Sequence, residues 1–328
     1  MKVVFDGACF GDGPITGVGR AFSNGLAAYV EAGGNDCVLL VPTGAPAPAL
    51  EGLSFVEAPR GALRRQLELP RLLLKLGADV LHSSVAAVPL RAPCPTIATV
   101  HDLPWLHPEL DEPTSPWRRF ATRRALRAAT AVIAPSQFTL NDAARLLART
   151  DTLHLVPHGT KRIDALPSAT RTGPLLALGD DRPRKNRRRM REAYAIARER
   201  RETLPPLRFV GLPDDYVDEA EKHGLLRSCR AVVQGSLFEG FGMPVLEALA
   251  HGAPVLCADI PPFREIAGDA AIYVDPHDTA SIAAGLERLT DDALCAVLAA
   301  KGWQRAASFG SQRTAELWRR LHEQLVVR

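Results

Sequence analysis

Two glutamates, Glu239 and Glu247, stand eight positions apart around the loop Gly240-Phe241-Gly242-Met243-Pro244. Gly240 and Gly242 let the backbone come close to a ligand. Pro244 suits the first turn of a helix and Gly252 its C-terminal end, so a short helix is expected over Pro244–His251. The unpaired N–H groups at such a helix start attract an anion, either a phosphate or polar sugar hydroxyls. Carboxylates flanking that point cannot hold a phosphate themselves. They can accept hydrogen bonds from hydroxyls, a ribose on one side and a transferred sugar on the other. Glu247, among Val245, Leu246 and Leu249, needs a polar partner if those neighbours face a core. An isolated pair of this kind also reads as one capping and one solvated carboxylate. The glycine loop and Pro244 favour the ligand-binding reading.

These residues need elements to position them. Short apolar runs alternate with helical patterns along the chain. Strands are expected at Val3–Phe5, Cys37–Val41, Asp79–His82, Thr96–Val100, Ala131–Ala134 and Leu153–Val156, with helices at Arg20–Tyr29, Trp117–Ala128 and Gln137–Leu147. After a polar, proline-containing boundary at Lys161–Pro174 the pattern resumes. Strands are expected at Leu175–Leu178, Leu207–Val210, Ala231–Val233, Pro254–Ala258 and Ala271–Val274, and helices at Asn186–Arg200, Thr279–Leu289 and Leu294–Ala307. A last amphipathic helix, Thr314–Val326, carries Leu317, Leu321 and Leu325 at four-residue spacing. Strand–helix alternation predicts an α/β fold with parallel sheets covered on both faces. Ligands of such folds bind at the carboxyl ends of the strands.

Composition sets bounds on function. The 328 residues suit about two domains, 46% apolar content supports full cores, and a net charge of +3 excludes a polyelectrolyte binder. No nucleic-acid-binding module appears and aromatics are few. Cys9, Cys37, Cys94, Cys229, Cys257 and Cys295 show no C-x-x-C spacing, so buried reduced thiols are expected. Asp6 ends the first apolar run too early for a signal peptide, and no apolar run is long enough to span a bilayer. A cytoplasmic protein is expected.

Residues 236–275 closely resemble the signature of the retaining glycosyltransferases of family four, which have the GT-B fold. Glu239, Gly240, Phe241, Gly242, Pro244 and Glu247 match in order, as do Pro254-Val255-Leu256, Phe263-Arg264-Glu265-Ile266, Gly268-Asp269-Ala270-Ala271 and Val274-Asp275-Pro276. Gly179-Asp180-Asp181-Arg182-Pro183-Arg184-Lys185-Asn186 resembles the segment before the family's phosphate-binding lysine, matched by Lys185. Thr16-Gly17-Val18-Gly19-Arg20 resembles the N-terminal glycine loop, Val100-His101-Asp102-Leu103 the His-Asp turn, and Val156-Pro157-His158-Gly159 the end of the first domain, where Asn usually replaces His158.

The resemblance implies two Rossmann-like domains facing a cleft: 1–165 on the acceptor side and 166–310 on the nucleotide-sugar side, with 311–328 crossing back as a helix. It implies transfer of a hexose from a nucleotide-diphosphate sugar, GDP-mannose or a UDP-sugar, to a saccharide, lipid-linked or small-molecule acceptor. Lys185 would neutralise the diphosphate and Arg184 would clamp it, stabilising charge on the departing nucleotide. Gly240, Phe241, Gly242, Met243, Pro244 and Glu247, with Gly17 and Val18, would bind the donor. Glu239 would position the sugar, and His101 would contact sugar or acceptor. No cofactor is implied: no Asp-x-Asp metal motif precedes the site, and the resemblance implies a metal-independent enzyme. The Pro-Arg-Lys-Asn run looks like mannosyltransferases.

Other basic segments admit more than one role. Arg187–Arg189 and Arg191 start a helix against its dipole, as solvated surface or as a site for an acidic partner or anionic lipid. Trp117-Arg118-Arg119-Phe120 through Arg127 is also basic and amphipathic, and reads as solvated surface or, since the resemblance is to enzymes many of which use lipid-linked acceptors, as a peripheral contact with an anionic membrane. The stretch between Gly211 and Ala231 is short for the family and leaves base recognition open. A degenerate sugar-nucleotide-binding protein and a GT-B-fold epimerase are the alternative readings.

Overall fold

Runs of β-branched and leucine residues, apolar on both faces, form the strands of two parallel sheets, because helices cover both sides of such sheets. The computed structural model describes residues 1–327 apart from 12, 14, 47–49, 51, 111, 167–170 and 213–214. The chain divides into two units. One comprises Met1–Leu106, Pro113–Gly159 and Ser311–Arg328, and the other His107–Glu112 and Thr160–Gly310. Of the boundary stretch expected over 161–174, residues 167–170 lie outside the described residues.

In the first unit, β1 (Lys2–Asp6), α1 (Gly17–Glu31), β2 (Asp36–Pro42), β3 (Ser54–Ala58), α2 (Ala62–Leu76), β4 (Val80–Ser83), β5 (Thr96–Thr99), α3 (Pro116–Ala128), β6 (Ala131–Ala134), α4 (Gln137–Leu147) and β7 (Leu153–Leu155) follow one another. The strands order as β3-β2-β1-β4-β5-β6-β7, all parallel. In the second unit come β8 (Leu175–Leu178), α5 (Arg187–Arg200), β9 (Leu207–Val210), α6 (Glu219–Ser228), β10 (Ala231–Gln234), α7 (Met243–Ala250), β11 (Val255–Ala258), α8 (Pro261–Ala267), β12 (Ala271–Val274), α9 (Thr279–Arg288) and α10 (Asp292–Ala306). The sheet order is β12-β11-β10-β8-β9, again all parallel.

The final helix, α11 (Ser311–Val326), packs in the first unit. Its Trp318, Leu321 and Leu325 join Phe5, Phe22, Leu26 and Tyr29 in one core. Gly25 permits the approach of α1 to α11: a Cβ there would lie 2.5 Å from the Trp318 ring. Thr314 Oγ1 donates to the Pro157 carbonyl at 2.8 Å and pins the start of the helix.

Four of these elements, β3, α2, α6 and α8, were absent from the expected pattern. Strand β3 is an edge strand with only Ala58 fully buried, so it shows no apolar run. Helix α2 contains Pro70 and buries only Leu69 and Leu73. Helix α8 opens on Pro261 and Pro262, which read as a turn but suit a helix start, where the missing N–H is not needed. The cysteines are all free as expected, although Cys9, Cys37 and Cys94 are only half-buried. Burial lifts the Cys9 thiol to about 12. Among the described residues no helix is long and apolar enough to cross a membrane.

Candidate functional site

In the second unit the glycine loop leads into α7 with Gly242 at its N-cap, φ 116°. Only glycine serves there. A Cβ would stand 2.6 Å from the Phe263 ring, and the backbone lies in the left-handed region. Pro244 occupies the first turn, and Gly252, φ 60°, lies just beyond the last. The expected helix is thus present, one residue earlier at each end. The first N–H groups it uses internally are those of Val245 and Leu246, which donate to the Gly242 carbonyl at 3.0 and 3.2 Å.

Lys185 ends a turn of 3-10 helix, Pro183–Lys185, that follows β8. Asn186 takes a left-handed backbone, φ 58°. Its amide donates to the Gly235 carbonyl at 2.9 Å and to the Pro276 carbonyl at 2.8 Å. This staples the cation-bearing turn to the loop that carries Glu239. Leu237 N adds a second tie, donating to the Arg184 carbonyl at 2.8 Å. Lys185 Nζ accordingly reaches Glu239 Oε1 at 2.6 Å, and Ser236 Oγ donates to the same oxygen at 2.7 Å. Both charges are largely buried. A pair so placed is held by mutual attraction, and loss of one partner would strand the other charge.

Arg184 meets a second carboxylate of the unit. Its Nε lies 3.2 Å from Glu112 Oε1 and its guanidinium 5.8 Å from the Phe238 ring centre. The remaining basic cluster is mostly engaged within the unit. Arg187 donates to the Gly179 carbonyl, Arg189 reaches Asn186 Oδ1 at 2.9 Å, and Arg188 pairs with Glu192 at 2.8 Å. Arg191 lies over the Phe209 ring at 4.5 Å. These contacts use much of the charge that the sequence offered to solvent, an acidic partner or a lipid surface.

Glu247 is 4% exposed on a helix whose other residues are nearly all apolar and buried. Its polar partner is Lys222 of α6, with Nζ 2.9 Å from Oε1. Lys222 also meets Glu219 at 2.8 Å. Neither Lys222, Ser236 nor the bridging role of Asn186 was read from the sequence.

The first unit places Gly17 and Val18 at the start of α1, half-buried, with a Cβ on Gly17 meeting nothing within 4 Å. Thr16 caps this helix by accepting from Gly19 N at 3.3 Å. His101 follows β5. Its Nε2 lies 2.7 Å from the Ser84 carbonyl and its Nδ1 3.1 Å from His158 Nε2. A carbonyl only accepts, so Nε2 of His101 carries the proton, and the neutral ring's Nδ1 accepts from His158. Burial keeps His101 below its ordinary value, and burial plus His101 hold His158 well below it. Both nitrogens of His101 are therefore engaged within the unit. A hydroxyl that bonds to the ring must exchange one of these contacts. An amide at position 158 could make the same donation.

The structure thus brings Arg184 and Lys185 to the loop that carries Glu239 in the second unit, with Glu247 inside α7, and places Gly17 and Val18 at the start of α1 and His101 after β5 in the first. The family described as Glycosyltransferase Family 4 matches residues 17–161, and that described as Glycosyl transferases group 1 matches residues 214–305. The O-antigen chain mannosyltransferase B of Escherichia coli is 31% identical over 160 residues, 42% of this chain and 42% of that protein. The chain thus matches less than half the length of this relative. Among solved structures, Anabaena Alr3699/HepE in complex with UDP and glucose superposes with a TM-score of 0.76 at 15% identity, over 99% of this chain and 100% of the other. WaaG, a glycosyltransferase involved in lipopolysaccharide biosynthesis, gives 0.77 at 15% identity, over 98% and 99%. With both family matches in sequence order on two parallel-sheet Rossmann-like units, the chain belongs to the family-four, group-1 glycosyltransferases of GT-B fold.

Proposed function

We propose that this chain transfers a hexose from a nucleotide-diphosphate sugar, GDP-mannose or a UDP-sugar, to a hydroxyl of a saccharide, lipid-linked or small-molecule acceptor, with retention and without a metal. The observation that carries the reading is the Lys185–Glu239 pair, 2.6 Å apart at the glycine loop that opens α7. It supplies one cation for a diphosphate and one carboxylate for sugar hydroxyls, already held in register by Asn186. The O-antigen mannosyltransferase relative supports a mannosyl donor. The UDP and glucose bound by the Anabaena protein support a UDP-sugar.

In this reading Lys185 moves its attraction from Glu239 to the diphosphate. The acceptor oxygen bonds to the anomeric carbon from the face that the phosphate leaves. The carbon–oxygen bond to phosphate breaks, and the acceptor's proton passes to the departing phosphate oxygen. Lys185 and the start of α7 stabilise the charge that grows there. Glu239 orients the sugar. His101, held neutral, contacts sugar or acceptor, and Gly17 and Val18 present backbone N–H groups to the donor.

A thermal-shift titration with UDP, GDP, ADP and their sugars, with and without EDTA, tests the reading, since a ligand of the native state raises the melting temperature. One nucleotide should stabilise the protein equally in EDTA, and K185A should weaken it. If no nucleotide shifts the melt, the donor reading falls. A shift abolished by EDTA refutes metal independence alone.

We also propose a cytoplasmic protein that touches the inner membrane face through α3. Trp117 and Phe120 are 66% and 56% exposed with ring centres 6.0 Å apart, among Arg118, Arg119, Arg123, Arg124 and Arg127 and no acidic residue. Aromatic side chains beside arginines suit the headgroup region of an anionic bilayer. Co-sedimentation with phosphatidylglycerol vesicles but not phosphatidylcholine vesicles, lost in W117S/F120S, is the expected result. Equal recovery with both lipids, or none with either, removes the proposal.

A further inference from the structure

The glutamate inside α7 and the shortened segment before β10 meet at one side chain. Among the described residues, α6 is the one helix between β9 and β10. Two consecutive residues of α6 dock on α7 at the same point. Lys222 Nζ binds the side chain of Glu247 at 2.9 Å. His223 stacks on His251, with ring centres 4.9 Å apart and Nδ1 2.8 Å from His251 Nε2. His251 Nδ1 lies 2.7 Å from the Glu247 carbonyl. That carbonyl only accepts, so His251 Nδ1 carries the proton. Burial holds His251 below its ordinary value, so its Nε2 accepts from His223. Both the side chain and the backbone of Glu247 are thereby registered against α6.

Lys222 is buried with a side chain only 7% exposed, a rare state for a lysine without a charge partner. It has two partners, Glu247 and Glu219, in a Glu–Lys–Glu arrangement. Glu219 lies one turn before Lys222, and Asp218 caps the helix by accepting from Glu221 N at 2.8 Å. The ammonium group is a compact point charge that engages Oε1, whereas a guanidinium fork would span both carboxylate oxygens. A carboxylate has about four lone-pair sites, so Glu247 so held can still accept from a diol. Glu247 is the fifth residue of α7, about 6 Å along the axis from the helix start. With phosphate at that start, a ribose falls beside Glu247.

We propose that Lys222 is the positioning residue for the donor's ribose: its charge holds the Glu247 carboxylate aimed, so that α6 provides ribose recognition in this chain. The proposal rests on the nucleotide-sugar reading above. On this view the short segment before β10 acts through the carboxylate that its lysine holds in place.

The test compares UDP and GDP with their 2′-deoxy forms by isothermal titration, in the wild type and in K222M, with folding checked by thermal melting. A hydrogen bond from a hydroxyl to a charged acceptor discriminates by about tenfold or more. The wild type should prefer the ribonucleotide by that factor, and K222M should bind more weakly with a ratio near one. A role in stability alone would lower the melting temperature and leave the ratio unchanged. If K222M does not fold, K222Q, which can donate to Glu247 without charge, carries the same comparison. An unchanged ribose preference in the folded variant overturns the proposal. Tight binding by the wild type with no ribose preference also overturns it, while leaving the donor reading intact. No nucleotide binding by the wild type would instead sink the donor reading.

Discussion

Replacing His322 with Phe should flatten the acid limb of the stability profile. In the core of the first unit His322 Nδ1 lies 2.9 Å from the Tyr29 hydroxyl and Nε2 3.0 Å from His82 Nδ1. Burial, with Arg319 nearby, pushes His322 down to about 3, and burial with His322 holds His82 well below its ordinary value. The unfolded chain titrates these groups near 6.5. Above that pH both states are neutral and nothing is linked to protons. As pH falls from 6.5 toward 3, the unfolded chain takes up a proton that the folded core refuses, so stability falls. At pH 5.0 each such histidine removes about 2 kcal/mol. The phenylalanine deletes that linkage at one site, and it also deletes two hydrogen bonds at a cost of about 2–3 kcal/mol at pH 8. The gap between wild type and H322F should therefore narrow by about 2 kcal/mol between pH 8 and pH 5. His82 keeps its own contribution in both proteins. Urea unfolding followed by tryptophan fluorescence checks this, with Trp318 among the reporting residues, its ring 4.6 Å from His82. Parallel pH profiles would show that His322 is not held neutral by burial and would refute the reasoning.

Removing the Lys185 charge as K185M should lower kcat/KM by about 10²–10³-fold, the usual loss for one preorganised donor to a developing anion, measured with the donor found by titration. G242A should destabilise the second unit by about 2–3 kcal/mol, because its Cβ meets Phe263 and its backbone is left-handed; an unchanged melting temperature would contradict this. H158N should keep activity within a few-fold, since an amide can donate to His101 Nδ1 at the place His158 occupies. H158L should lose more, and equal rates for the two would dismiss the contact.

Much of the fold could be read from the sequence because both sheets are parallel and buried. Ala131–Ala134 and Leu175–Leu178 declare themselves by unbroken apolar character and have the expected bounds. β3 lies at one edge of the first sheet, and α2 covers that sheet with only Leu69 and Leu73 fully buried, so exposure removes the pattern: Leu63, Leu67 and Leu74 all face solvent. At the site, Glu239, Glu247 and Lys185 were legible as residue types in a spaced loop. Their pairing was not, because it depends on how separate loops dock. Lys222 illustrates this: it lies 25 residues before Glu247 on a helix with no signature of its own. His158 was visible as an odd residue at a recognisable turn, but the tautomers that give it a function follow only from the Ser84 carbonyl on the far side of His101.

The place of α11 in the first unit bears on the order of synthesis. Phe5, Phe22 and Tyr29 emerge from the ribosome early, whereas Trp318 and Leu321, which complete their core, emerge only after all of Thr160–Gly310 has been made. The second unit is continuous apart from His107–Glu112, which precede it, and has every strand of its sheet before α11 appears. Nascent chains generally fold their N-terminal domain first. Here the later-made unit has its whole sheet before the earlier one can cover its aromatic face. The nascent first half is therefore a natural client for chaperones, and a ribosome that stalls before α11 leaves a finished second unit joined to a sticky, incomplete first one.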